Sequence, residues 1–195
     1  ITLEKLTVSE GRITVWHQAS GREHVLSELN ADISARSLAG PWRIDGSMRL
    51  DGVLTAMSVS TGTRNADGRM RVRTTIQPEP YPVSIETDGD VTIADGAAKY
   101  QGSFRLGARP ASDLKPRDGE AATFRVTDDR SRSGRKAPYR LSGKFTLDHQ
   151  RMWVPEFRFE SGLAEDPYTA DGQAVVELGA APRFSINADG AQVRL

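Results

Sequence analysis

The chain has 195 residues, 26 basic and 26 acidic side chains and no cysteine, with a pI near 7.1 and a mean hydropathy of −0.48. Zero net charge removes the electrostatic footprint of a nucleic-acid binder, and the missing cysteines exclude a disulfide framework, a thiolate nucleophile and a Cys-based zinc site. No run approaches the ~18 consecutive apolar residues that cross a bilayer as a helix. A chain that starts at Ile1 without a signal peptide reads as a mature or excised piece of a longer protein.

Taken in chain order, the sustained signal is alternation with a period of two, which puts side chains on opposite faces of a strand. It begins at Trp42-Arg43-Ile44-Asp45-Gly46-Ser47-Met48-Arg49-Leu50 and returns at Met70-Arg71-Val72-Arg73-Thr74-Thr75-Ile76. It continues at Tyr100, Gly102, Phe104 and Leu106, at Tyr139, Leu141, Gly143, Phe145 and Leu147, and at Phe184, Ile186 and Ala188. No segment sustains the i, i+3, i+4, i+7 spacing of an amphipathic helix. Asp-Gly pairs at 45–46, 51–52, 67–68, 88–89, 95–96, 118–119, 171–172 and 189–190 supply hairpin chemistry, because a type I′ turn needs positive φ at both central residues. Gly46 and Gly172 are expected inside strands, where glycine marks a bend or a close backbone approach. Asp88-Gly89-Asp90 lacks the third ligand and distal glutamate of an EF-hand loop and is read as a hairpin turn.

An internal echo supports strands of one repeated design. Trp42 to Asp51 aligns without a gap on Tyr139 to Asp148, each copy following a small residue and a proline (Gly40-Pro41, Ala137-Pro138). Between the strand-rich halves, residues 107–137 form a long charged connection with Pro110, Pro116, Arg130, Arg132, Arg135 and Lys136. The expected organisation is a β-meander over 1–106, a polar linker over 107–137, and a continuation of the same meander over 138–195. The fold class is therefore all-β: a long antiparallel meander sheet curled into an open groove, with a two-sheet sandwich or a barrel as the other possible closures.

The stretch Leu3-Glu4-Lys5-Leu6-Thr7-Val8-Ser9-Glu10-Gly11-Arg12-Ile13-Thr14-Val15, then Leu26 to Ala35 and Ser37-Leu38-Ala39-Gly40-Pro41-Trp42, resembles the AsmA family of Gram-negative envelope proteins. Pro138-Tyr139-Arg140-Leu141-Ser142-Gly143-Lys144 is similar to a further element of that family. The resemblance covers most of the chain and rests on strands and turns with few diagnostic polar residues. It implies a protein anchored in the inner membrane with its bulk in the periplasm, and a β-groove like those of bridge-like lipid-transfer proteins. It also implies a link to outer-membrane assembly and phospholipid traffic. No catalytic residue carries over, and the family's N-terminal membrane helix is not in this chain.

On the groove reading, Ile44, Met48, Leu50, Val72, Ile76, Phe104, Leu106, Leu141, Phe145, Leu147, Phe184 and Ile186 face the acyl chains of phospholipid. Parity identifies a face but not what covers it, so an ordinary dry core is the alternative. Expected partners are phospholipid acyl chains, neighbouring segments of the parent protein through edge strands, and envelope proteins. No cofactor, metal or nucleic acid is expected.

Other signals are weaker. His17, His24 and His149 have no partner at metal-ligand spacing. Asp128-Asp129 and Glu165-Asp166 are adjacent carboxylates rather than an opposed acid/base pair, and Ser133-Gly134-Arg135-Lys136 matches Ser-x-x-Lys only within a charged loop. An enzyme is the least favoured class, because no nucleophile, base and electrostatic stabiliser can be assembled. Trp16, Trp42 and Trp153 suggest a rival, a β-sandwich module that stacks on sugar rings or binds protein partners, although Trp42 shares the parity of Ile44.

Overall fold

The computed structural model describes residues 3–17, 21–37, 39–50, 52–94, 96–108, 139–163, 166–178 and 182–191. They form eleven strands and, among the described residues, no helix: β1 (Leu3–His17), β2 (Arg22–Ala35), β3 (Trp42–Leu50), β4 (Val53–Thr61), β5 (Met70–Pro78), β6 (Val83–Ala94), β7 (Ala97–Ala108), β8 (Tyr139–Leu147), β9 (Arg151–Leu163), β10 (Asp166–Glu177) and β11 (Arg183–Ala191). All eleven belong to one antiparallel sheet in strict chain order, and each strand touches only its sequence neighbours. The sheet is open. A two-sheet sandwich is not formed, and β1 and β11 do not meet to close a barrel.

Every alternating run singled out in the sequence lies in a strand, and the Asp-Gly signal divides as turn chemistry requires. Gly52, Gly68 and Gly96 have φ of 88°, 75° and 76° and occupy connections. Gly46 and Gly172 lie inside β3 and β10. Asp88-Gly89-Asp90 corrects the hairpin expectation: it sits within β6, with Gly89 opposite Val72 on one side and Gly102 on the other. Turn propensity is overridden there because Gly89 and Gly102 bring two backbones together. A Cβ on Gly89 would come within 2.8 Å of the Gly102 Cα. The linker expectation is corrected at its start, since β7 runs to Ala108 and Gly107 pairs with Arg140. Residues 109–138, with their charged run and the Ser-x-x-Lys match, lie outside the described residues.

Three strands carry bulges. Register shifts fall in β1 near Glu10 (φ 53°), in β2 near Glu28 (φ 50°), and in β9, where Val154 and Pro155 together oppose Phe145. Bulges and strand glycines are the devices by which sheets bend and coil. Pro155 is tolerated in a central strand because a bulge does not need its N–H for the ladder. The echo has a physical counterpart: a Cβ on Gly46 would lie 2.7 Å from the Ala31 Cα, and one on Gly143 would lie 2.9 Å from the Phe157 Cα. The same position in both copies thus lets a neighbouring strand approach closely.

Candidate functional site: an apolar sheet face

Register carries the faces across the whole sheet, since directly opposed residues share a side. One row crosses all eleven strands as Leu6, Ile33, Ile44, Val59, Thr74, Thr87, Phe104, Gly143, Phe157, Gly172 and Ala188. The next row is Val8, Ala31, Gly46, Met57, Ile76, Ile85, Leu106, Leu141, Phe159, Ala170 and Gly190. Toward the other rim, Val72, Gly89, Gly102 and Phe145 follow one another, and Tyr100, Leu147, Met152, Val176 and Phe184 form a parallel row. Met48 and Leu50 lie toward the β3–β4 turn, opposite Thr55 and Val53, and Ile186 opposes Ala174 on β10. All twelve residues named from sequence parity therefore lie on a single face. Several of its apolar residues were not singled out from sequence, including Met57, Val59, Ile85, Met152, Val154, Phe157 and Phe159.

This face is the more sheltered one. The buried strand residues are Ala31, Ala35, Thr55, Phe145 and Val154, and every one lies on it. Phe145 is 6% exposed, with the Tyr100 ring edge-on at 4.8 Å and the Phe104 ring at 6.5 Å. Yet among the described residues no side chain is completely buried, and the flanks are open: Leu6, Ile13, Leu50, Phe184 and Ile186 are exposed. Aromatic side chains cover several glycines of the next strand, with Phe104 over Gly143, Phe157 over Gly172 and Tyr168 over Gly190. Large side chains thus fill the gaps left where backbones come close, and the floor stays continuous.

Three polar side chains in the middle of this face are paired with one another. Thr74 Oγ1 and Thr87 Oγ1 are 2.7 Å apart, Thr87 Oγ1 and Tyr100 Oη 2.5 Å, and Tyr100 donates to the Val72 carbonyl at 3.2 Å. With Tyr100 committed to Val72, the order of donation is fixed: Thr74 gives to Thr87, and Thr87 gives to Tyr100. No hydroxyl hydrogen is left over, so the threonines do not carry an unmet donor into an apolar setting. Burial raises the Tyr100 pKa above its usual 10.0, and the hydrogen bond from Thr87 only partly offsets this.

The opposite face is charged and internally paired. Arg71 Nε and Nη2 donate to the two oxygens of Asp88 at 2.7 and 2.8 Å, and Arg73 Nε adds a third contact at 3.0 Å. The hydrogen bonds from Arg71 first, then those from Arg73, hold the Asp88 carboxyl at a pKa of about 2. Asp45 is lowered by Ser58 and Arg43, and Asp32 by Thr7 and Lys5. Further pairs join Arg49 to Glu28, Lys144 to Glu156, and Arg158 to Glu160 and Asp171. A hollow of about 500 Å³ beside Arg71, Asp88, Asp90 and Lys144 is lined by charges of both signs. Among the described residues no three His, Asp or Glu side chains gather in a way that could hold a metal ion. Among them, no helix is long and apolar enough to cross a membrane.

Trp42 lies on the apolar face, opposite Ala35. Trp16 and Trp153 lie on the charged face, opposite Glu23 and Thr146, and are 62% and 45% exposed. Those two are on β1 and β9, eight strand steps or ~38 Å apart at ~4.8 Å per step. They do not make one sugar-stacking platform. Comparison with protein-family models, with curated proteins and with solved structures gives no match to this chain.

Proposed function

We propose that this chain is a lipid-binding segment of an AsmA-like envelope protein, and that its apolar face holds phospholipid acyl chains. The observation that carries the reading is an apolar face eleven strands wide with, among the described residues, no second layer over it. A face of that size left in water forgoes about 25 cal/mol per Å² of apolar surface, whereas each methylene withdrawn onto it contributes about 0.8 kcal/mol. Ten strand steps of ~4.8 Å give a floor ~48 Å long, enough to lie along more than one acyl chain. The mechanism is passive: floor residues replace bilayer contacts while the ion-paired face keeps the sheet in water. The saturated Thr74–Thr87–Tyr100 ladder offers no donor to an ester or headgroup, which favours hydrocarbon over polar groups at that point. In this reading the chain is not an enzyme. It works in the periplasm as part of an inner-membrane-anchored protein that supports outer-membrane lipid supply, and its edge strands and outer surface meet further parent segments and envelope proteins.

The test is native mass spectrometry with lipid extraction on the chain purified from a Gram-negative host. Phospholipid should travel with the protein and fall several-fold in Leu106→Glu, a change in the middle of the floor. Circular dichroism checks that the variant keeps its strands, and Leu50→Glu, at an exposed rim position, provides a second variant with less risk to folding. A protein that arrives clean and takes up no added phospholipid contradicts the reading.

A further inference from the structure

Independently of what fills the apolar face, we infer that the charged face carries a subsite for a neutral oligosaccharide, made by the exposed Trp153 indole and the polar row Asp90, Gln101 and Thr146 beside it. Register sets these four in one line across β6 to β9, with Asp90 opposite Gln101, Gln101 opposite Thr146 and Thr146 opposite Trp153. Each of the four strands is paired on both sides, so nothing in the arrangement depends on where the sheet ends. Three steps of ~4.8 Å make the line ~14 Å long, a span suited to a short oligosaccharide lying across the strands. The hollow of about 500 Å³ on this face takes in Asp90, Gln101 and Thr146 together with Pro155 of β9. Trp153 stands at its flank, since directly opposed positions bring its Cβ within about 5.5 Å of the Thr146 Cβ.

Two features set this line apart from its surroundings. Around it, carboxylates and cations are spent on one another: Asp88 on Arg71 and Arg73, and Glu156 on Lys144. Along it, among the described residues, Asp90 has one long ion pair with Arg69 at 3.9 Å, and the Gln101 amide and Thr146 hydroxyl hold no side-chain partner. The second feature is the indole itself, 45% exposed in the midst of a charged face. Together they have the chemistry that recognises a sugar. The C–H groups on one side of a pyranose ring carry slight positive charge and pack on the negative face of an indole. A carboxylate accepts hydrogens from two neighbouring hydroxyls, while an amide and a hydroxyl each donate and accept. The charges that line the hollow cancel, Arg71 and Lys144 against Asp88 and Asp90, so a neutral ligand is favoured over a phosphate or an ammonium group. Trp16 takes no part: one indole supplies the stacking, and the polar row fixes orientation.

Saturation-transfer NMR on the full chain tests the subsite, with cellotriose, maltotriose and N,N′,N″-triacetylchitotriose as probes, because it reads the sugar's own protons and needs no tryptophan signal. At least one probe should receive saturation from the protein. Trp153→Ala should abolish the transfer, and Trp153→Phe, which keeps an aromatic face, should restore part of it. Asp90→Asn should weaken binding several-fold, and Trp16→Ala should leave it unchanged. Trp153 is exposed, so its replacement carries little risk to folding, and circular dichroism checks that every variant keeps its strands. No transfer to any of the three probes, transfer that survives Trp153→Ala, or equal loss in Trp16→Ala would each overturn the inference. The four side chains lie on the face opposite the apolar floor, so phospholipid uptake should be the same in Trp153→Ala as in the unmodified chain, and failure of either reading leaves the other standing.

Discussion

Asp88 shows how much of this molecule is decided by one residue's surroundings. Its sequence neighbours Gly89 and Asp90 suggest a turn, but its carboxylate takes three hydrogen bonds from Arg71 and Arg73 on the adjacent strand. The alternation Arg71-Val72-Arg73 was readable as a strand; that both arginines would converge on Asp88 was not, because pairing register is a long-range property. The linkage has a definite sign. The folded pKa, about 2, lies below the unfolded value near 3.8, so the contribution to stability is complete above about pH 4 and disappears as the pH falls towards 2. Urea midpoints measured from pH 7 to pH 2 should drop over that window. Asp88→Asn should be less stable at pH 7 and lose less on acidification. Parallel acid limbs for the two proteins would show that Asp88 does not carry the effect.

At the scale of the strand, strict alternation was legible where the ladder is regular and failed where it is bulged. β3, β5, β7, β8 and β11 keep one parity throughout, and those strands supplied all twelve candidates. In β9 the apolar face changes from Met152 and Val154 to Phe157 and Phe159, because Val154 and Pro155 share one partner position opposite Phe145. A parity count run straight through β9 assigns half its apolar residues to the wrong face. β1 and β2 switch in the same way near Glu10 and Glu28. The bulge therefore makes an asymmetric expectation for deletions. Removing Pro155 restores one-to-one pairing and leaves Trp153 and Glu156 on the charged face. Removing Arg158, in a regular stretch, turns the neighbouring side chains to the wrong side. The Pro155 deletion should stay folded with a loss of about 1–2 kcal/mol, within the ordinary range for single changes, and the Arg158 deletion should lose more than about 3 kcal/mol. Thermal melts followed by circular dichroism distinguish them, and equal losses would contradict the face assignment.

For the whole molecule, composition and turn spacing were enough to give an all-β meander, because each strand pairs only with its neighbours in sequence and no long-range topology had to be guessed. Whether the sheet would fold over into a sandwich was not legible: that depends on summed twist and bulges rather than on any one segment's pattern. The open outcome leaves a broad apolar face and a charged one on opposite sides of the sheet, and in the proposed function hydrocarbon covers the apolar side. Tryptophan reports on the two sides separately. With Trp16 and Trp153 replaced by phenylalanine, Trp42 remains as a probe on the apolar face. With Trp16 and Trp42 replaced, Trp153 remains on the charged face. Phospholipid brominated along its acyl chains quenches an indole that it touches. Acyl chains held on the apolar face should quench Trp42 strongly and Trp153 little. Equal quenching of both, or none at Trp42 at saturating lipid, would contradict that placement.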